Sequence, residues 1–235
     1  MVISANDFAR ASRSNGQARG TTSHPWPERH GAFDPRRDPA AGKPADAFSD
    51  TARVAELRPT QATVGFREVA RKRRDAAGLR GASIPVVRGP WARLFILDRH
   101  HLVRALYDEG VERVNVSICT DLSMLSMGEF WEVCLERGWC HPYDAAGRFH
   151  DPSAMPRAVG DLADDPYRSL ASAVRHAGGF AKTMAIYSEF SWADFLRRQL
   201  PRATLDADFD QAVRRALALA HSPRTAHLPG WRLIR

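Results

Sequence analysis

The apolar run Leu94-Phe95-Ile96-Leu97 passes without a spacer into Asp98-Arg99-His100-His101 and then Leu102-Val103-Arg104-Ala105-Leu106. Four apolar residues in a row suit a strand buried on both faces. Leu102, Val103 and Leu106 fall at helical spacing. Asp98 reads as the cap of a helix that stops at Gly110. A strand buried on both sides needs neighbours, and the flanking sequence supplies them. Ile84-Pro85-Val86-Val87 reads as one strand, turned by Gly89-Pro90, and Val114 to Ile118 as another. Phe66 to Ala77 reads as a helix ended by Gly78. Strands alternating with helices predict an α/β domain with a crossover unit.

The rest of the chain reads differently at its two ends. Residues 1–50 are rich in Gly, Pro, Ser, Asp and Arg and lack apolar periodicity, which predicts a disordered arm. Val54 to Val64 reads as extended, interrupted at Pro59. Beyond the third strand the signals are helical. Ser126 with Glu129 is a capping box. Asp165-Pro166 starts a helix running to Ala177. Further helices are expected from Ser191 to Pro201 and from Asp206 to Ala220. The predicted organisation is an arm over 1–50, an α/β domain over 51–153 and a helical extension over 154–235.

The formal charge is +7, and only Lys43, Lys72 and Lys182 among the 34 basic residues are lysine. Arginine suits bidentate contact with phosphate or carboxylate, although codon bias produces the same composition. The three cysteines, Cys119, Cys134 and Cys140, cannot all pair and form no CxxC, which fits a reducing compartment. Met1 to Arg10 has no apolar signal core, and no run of 18 apolar residues exists. The expectation is a cytoplasmic protein without a membrane partner. Oligomeric state is open.

The Leu94–Leu106 junction is also the candidate site. The first turn of a helix carries unpaired N–H groups and a positive dipole end, so it receives anions. His100 and Arg104 are four apart on one face, and Arg104 leans back toward that turn. His donors and an arginine fork suit phosphate. The plain alternative is a capping Asp98 with surface histidines. Zinc is disfavoured, because adjacent histidines point apart and no Cys or Glu stands at ligand spacing. Glu68 on the preceding helix is a candidate general base, or else a carboxylate paired with Arg71 or Lys72. Arg168 and Arg175 share a helix face and, with Lys182, could form a basic wall. Trp192, Phe195 and Leu196 read as core, and the cysteines as small buried hydrophobes.

Several segments then fall into a familiar order: Leu57-Arg58-Pro59-Thr60-Gln61, Val64-Gly65-Phe66-Arg67-Glu68-Val69 with Lys72, Ile84 to Val87, and Leu97-Asp98-Arg99-His100-His101. This order resembles the ParB/sulfiredoxin superfamily. Asp164 to Ala171, Gly178-Gly179-Phe180 with Lys182, and Glu189 to Ala193 resemble its ParB-like putative nuclease subgroup more closely. The resemblance spans roughly residues 54–200. It implies a small mixed-sheet α/β domain with a mainly helical C-terminal extension. It also implies binding of a nucleoside triphosphate or other phosphate at the junction. The superfamily motif there resembles Asp-Gly-x-His-Arg. Asp98 and His101 are in register, Arg99 stands for the Gly and Leu102 for the Arg. Lys72, Arg104 or Arg168 would replace the lost phosphate ligand. No Cys lies at the junction, and neither the partition proteins' arginine-rich box nor their helix-turn-helix domain is evident.

The resulting expectation is a ParB-like protein that binds a nucleotide or phosphorylated small molecule, with Mg²⁺ and phosphoryl-transfer or phosphohydrolase chemistry in view. Asp98 would act through Mg²⁺ or as a base. His101 would contact phosphate, beside Glu68, His100, Arg104, Lys72, Arg168 and Lys182. The alternative is a DNA-binding protein or nuclease of the ParB-like type. A third reading is a binding module that keeps only the scaffold.

Overall fold

The computed structural model describes residues 49–75, 78, 81–183 and 187–232. The arm expected over residues 1–50 falls outside these as far as residue 48. The strands are β1 (Ser49–Arg53), β2 (Thr63–Val64), β3 (Ile84–Arg88), β4 (Leu94–Ile96), β5 (Arg113–Asp121) and β6 (Ala163–Asp164). The helices are α1 (Phe66–Arg74), α2 (His100–Asp108), α3 (Met127–Glu136), α4 (Pro166–His176), α5 (Ser188–Gln199), α6 (Arg202–Ala207) and α7 (Phe209–Ala220).

The main sheet is mixed, in the order β1-β5-β3-β4. β5 runs parallel to β3 and antiparallel to β1, and β4 closes the far edge antiparallel to β3. Both faces are covered, as the unalternated apolar runs predict. Ile84, Val86 and Ile96 pack with Val69 of α1 and Leu102, Val103 and Leu106 of α2. Val87 and Phe95, one residue over in each strand, pack with Phe130, Trp131 and Cys134 of α3. A third cluster belongs to the helices beyond, with Leu170 and Val174 of α4, Trp192 and Leu196 of α5, and Ala212 and Ala216 of α7. The chain is therefore an α/β sandwich carrying a helical C-terminal part.

The two parts are stitched at one place. β2 pairs in parallel with β6, which leads into α4. Gly65, next to β2, meets Ser169 of α4 so closely that an added Cβ would stand 2.6 Å from its hydroxyl and 2.7 Å from its backbone nitrogen. The first turn of α1 is tied to the same elements. Phe66 N–H donates to Asp164 Oδ1 at 2.8 Å and Arg67 N–H to Ser169 Oγ at 3.2 Å.

Several boundaries differ from expectation. The segment expected to be extended from Val54 holds a short 3-10 turn, Val54–Glu56. α1 ends at Arg74, where four basic residues crowd its last turn. α5 starts at Ser188, before the Ser191 signal, behind a left-handed Tyr187. The helix expected from Asp206 is two helices, because the Asp208 side chain caps α7 through Gln211 N–H and breaks the run. Cys134 and Cys140 are buried, and burial raises both thiol pKa values, that of Cys140 to about 12. No helix among the described residues is long and apolar enough to cross a membrane.

Candidate functional site

The junction after β4 has the expected strand-to-helix form but not the expected cap. Arg99 is the N-cap residue and adopts the left-handed conformation, φ 70° and ψ 26°, with no capping side chain. Asp98 instead lies exposed before it, its Oδ1 accepting from Arg99 N–H at 2.6 Å. An aspartate cap needs an extended backbone followed directly by helix, and the left-handed residue takes that place. The N–H groups of His100, His101 and Leu102 consequently have no acceptor among the described residues. Arg99 occupies the position where the superfamily motif has Gly, and the backbone makes the Gly-type turn all the same.

The two histidines diverge, as neighbours on a helix must. His100 is 2% exposed. Its Nε2 accepts from Thr60 N–H at 3.1 Å, while the Thr60 hydroxyl donates to Ile96 carbonyl oxygen at 2.6 Å. His101 Nε2 accepts from Gly65 N–H at 3.0 Å. A backbone N–H can only donate, so both Nε2 atoms are unprotonated and each neutral ring carries its proton on Nδ1. The electrostatics agree. Burial, aided by the Arg168 charge, pushes His100 down to about 3. The same two causes hold His101 well below the ordinary histidine value, against the pull of Glu68. His101 thus bridges the start of α2 to the residue that precedes α1.

Glu68 lies on the facing side of α1, its side chain 9% exposed. Ser172 Oγ donates to it, Arg71 Nη2 stands 3.1 Å away and Lys72 Nζ 3.7 Å. Burial alone would raise its pKa. The Ser172 hydrogen bond and the nearby Arg71 and Lys72 charges outweigh that and bring it down to about 2. A carboxylate held so low is a weak proton acceptor at neutral pH, so its geometry suits an ion-pair hub better than a general base.

Arg168 is the largest departure from the surface placement its spacing suggested. It is 5% exposed. Nη1 donates to Gln61 Oε1 at 3.0 Å and to Thr63 carbonyl oxygen at 2.9 Å, and the guanidinium lies 3.6 Å from the Phe190 ring centroid. These direct partners are neutral, and Nε has none among the described residues. Burial lowers its pKa to about 10, which still leaves it charged at neutral pH. His141, against Phe190 at 3.7 Å between centroids, is likewise pushed well below its ordinary value, by burial and then by Arg168. One buried cation, itself within reach of the Asp165, Glu189 and Glu68 charges, therefore acts on three histidines kept neutral.

The other expected residues are placed as follows. Arg104 bonds Leu162 carbonyl oxygen at 2.8 Å and Asp108 at 2.9 Å, and covers Phe66. These contacts tie it to the fold. Lys182 is exposed beyond α4. Arg175 pairs with Glu189 at 2.7 Å. Among the described residues no group of three or more His, Cys, Asp or Glu side chains could hold a metal ion. Sequence reasoning missed Thr60, Gly65, Ser172, His141 and Phe190 as parts of this neighbourhood. Thr60 and Gly65 stood in the segments that carry the resemblance, whereas His141 and Ser172 gave no local signal.

A family model described as "Putative ParB-like nuclease" matches residues 51–198. The chain belongs to this ParB-like family. The match crosses from the sheet through α4 and into α5. This ParB-like chain is similar to protein Atu1540 from Agrobacterium tumefaciens, whose crystal structure matches with 45% identity and a TM-score of 0.77 over 79% of this chain and 98% of that one. A C-terminally truncated ParB from Caulobacter crescentus, complexed with CTP-gamma-S, matches with 14% identity and a TM-score of 0.27, over 74% of this chain and 93% of that one. No curated protein matches the chain.

Proposed function

We propose that this ParB-like protein binds a nucleotide or another phosphorylated small molecule at the start of α2, and that phosphoryl transfer or phosphate-ester hydrolysis is the chemistry such a site serves. The observation that supports it best is the left-handed turn at Arg99. It leaves the N–H groups of His100, His101 and Leu102 without acceptors at the positive end of a helix. His101 would donate through its Nδ1–H as a neutral imidazole. The buried charge of Arg168 adds an attractive field, since a cation without a bonded carboxylate is costly in a protein interior. Lys72, paired with Glu68 at 3.7 Å, would supply a further cation to this arrangement. His100 and Arg104 would position α2 rather than touch the ligand.

Asp98 sets a condition on the ligand. Its exposed carboxylate repels a bare phosphate, and one carboxylate plus phosphate oxygens is a common Mg²⁺ arrangement. Asp98 therefore fits a Mg²⁺ ion that arrives with the nucleotide and neutralises phosphate charge.

Titration of the full chain with nucleoside triphosphates and Mg²⁺, read by calorimetry and thermal shift, tests the reading. His101→Ala should weaken binding by roughly 1.5–3 kcal/mol if it makes a hydrogen bond to a charged group. Asp98→Asn should lose most of the Mg²⁺ dependence while keeping its thermal midpoint. Absence of stabilisation by any triphosphate or phosphorylated probe at millimolar concentration would overturn it. The second reading, a DNA-binding protein or nuclease, draws on the description of the matching family. It expects affinity for DNA that falls steeply with salt.

A further inference from the structure

At the opposite end of the sheet, the turn between β3 and β4 spends conformational strain on an exposed tryptophan. Trp91 and Ala92 are both left-handed, each with φ 56°. The turn is closed by Gly89 N–H donating to Arg93 carbonyl oxygen at 2.8 Å. It is anchored from below, because a Cβ on Gly89 would meet the rings of Phe95 and Phe130 at 2.7 and 2.8 Å. Two successive left-handed non-glycine residues are uncommon and cost stability. Here they hold an indole 69% exposed. Left-handed values at both central residues are the geometry of a two-residue hairpin turn, and here that turn fixes where the indole stands.

The surroundings are cationic and concave. Arg93 lies over the indole at 4.6 Å. A groove of about 360 Å³ runs beside it, lined by Trp91, Arg93, Leu94, Leu57, Arg58 and Glu56. Glu56 stands beside Arg53 at 4.0 Å. Neither Arg58 nor Arg93 has a carboxylate partner among the described residues, and Arg58 Nη1 donates to Arg157 carbonyl oxygen. A rigid aromatic face next to unneutralised arginines matches a ligand that alternates flat bases with phosphates.

We propose that the Trp91–Arg93–Arg58 groove binds single-stranded nucleic acid, with a base stacked on Trp91 and the backbone held by the two arginines. The site is separate from the α2 junction and does not depend on what binds there.

The test is fluorescence anisotropy of a labelled twenty-nucleotide oligo-dT, with oligo-U and a duplex of equal length as comparison arms, on the full chain. Oligo-dT and oligo-U should bind more tightly than the duplex. Trp91→Ala should weaken single-strand binding on the order of tenfold, and Trp91→Phe should restore most of it. Arg93→Ala should weaken binding and reduce the salt dependence by about one counterion. Arg224→Ala, at an exposed position of the helical C-terminal part, should leave oligonucleotide affinity unchanged, which separates loss of the groove from loss of overall charge. Absence of single-strand binding, equal affinity of wild type and Trp91→Ala, or a duplex preferred over single strands would each overturn the proposal.

Discussion

The left-handed backbone of Arg99 carries a cost of roughly 1–2 kcal/mol for an L-residue with a Cβ, and no side chain caps the helix it precedes. Glycine at this position escapes that cost but is freer in the unfolded chain. Arg99→Gly should therefore be neutral to stabilising by up to about 1 kcal/mol, whereas Arg99→Val should cost about 1–2 kcal/mol. Chemical denaturation of the two variants checks the ordering, and equal losses in both would show that the Arg99 side chain matters more than its backbone. The sequence exposed this position only through the motif, where Gly is expected. It also showed that adjacent histidines diverge. It could not show that His100 is the inward one, because its partner Thr60 lies 40 residues earlier.

Among elements, the join between α1 and α4 determines whether the candidate site exists as one neighbourhood. Gly65 precedes α1, donates its N–H to His101 Nε2, and touches the first turn of α4. Gly65→Ala would push its Cβ against Ser169 Oγ and against Ser169 backbone nitrogen, which cannot rotate away. A destabilisation of about 1–3 kcal/mol is expected, the usual cost of overpacking. Ser169→Ala in the same background should recover only part of it, as measured by urea unfolding. Strands β3, β4 and β5, helices α2 and α3 and the stripe of α4 were legible, because each has its own periodicity or cap. The pairing of β2 with β6 was not. Two-residue strands leave no pattern, and their partners are about 100 residues apart. Arg168 was misjudged for the same reason. Its helical spacing put it opposite the Leu170 stripe, and only the β2 segment and Phe190, arriving from elsewhere in the chain, bury that second face.

For the whole molecule, a buried cation shared by both parts of the fold makes stability depend on pH. Arg168 links the segment Gln61–Thr63 to Phe190 of α5, and it depresses the basicity of His100, His101 and His141 after burial has already done so. In the unfolded chain each histidine titrates near 6.5. His100 in the folded protein titrates at about 3, and the other two well below their ordinary value. A depressed folded pKa means that the unfolded state takes up protons first. The folded state therefore has its full advantage above about pH 6.5 and loses it as pH falls. A histidine kept neutral throughout contributes about 2 kcal/mol of loss between pH 7 and pH 5. Glu68 adds a later loss, from about 4.5 down toward its folded value of about 2, again because the folded pKa is the lower one. Urea unfolding at pH 7, 6 and 5 should thus show a steep fall in stability, with about three protons bound on unfolding at the lowest pH. His100→Gln can still offer an oxygen to Thr60 N–H, so it should fold and flatten the profile by close to one proton. Imidazole chemical shifts should meanwhile show His100 neutral in the folded protein at pH 5. A stability that stays level from pH 7 to pH 5, or a protonated His100 at pH 5, would show that the Arg168 centre is open to water and that its histidines are not held neutral.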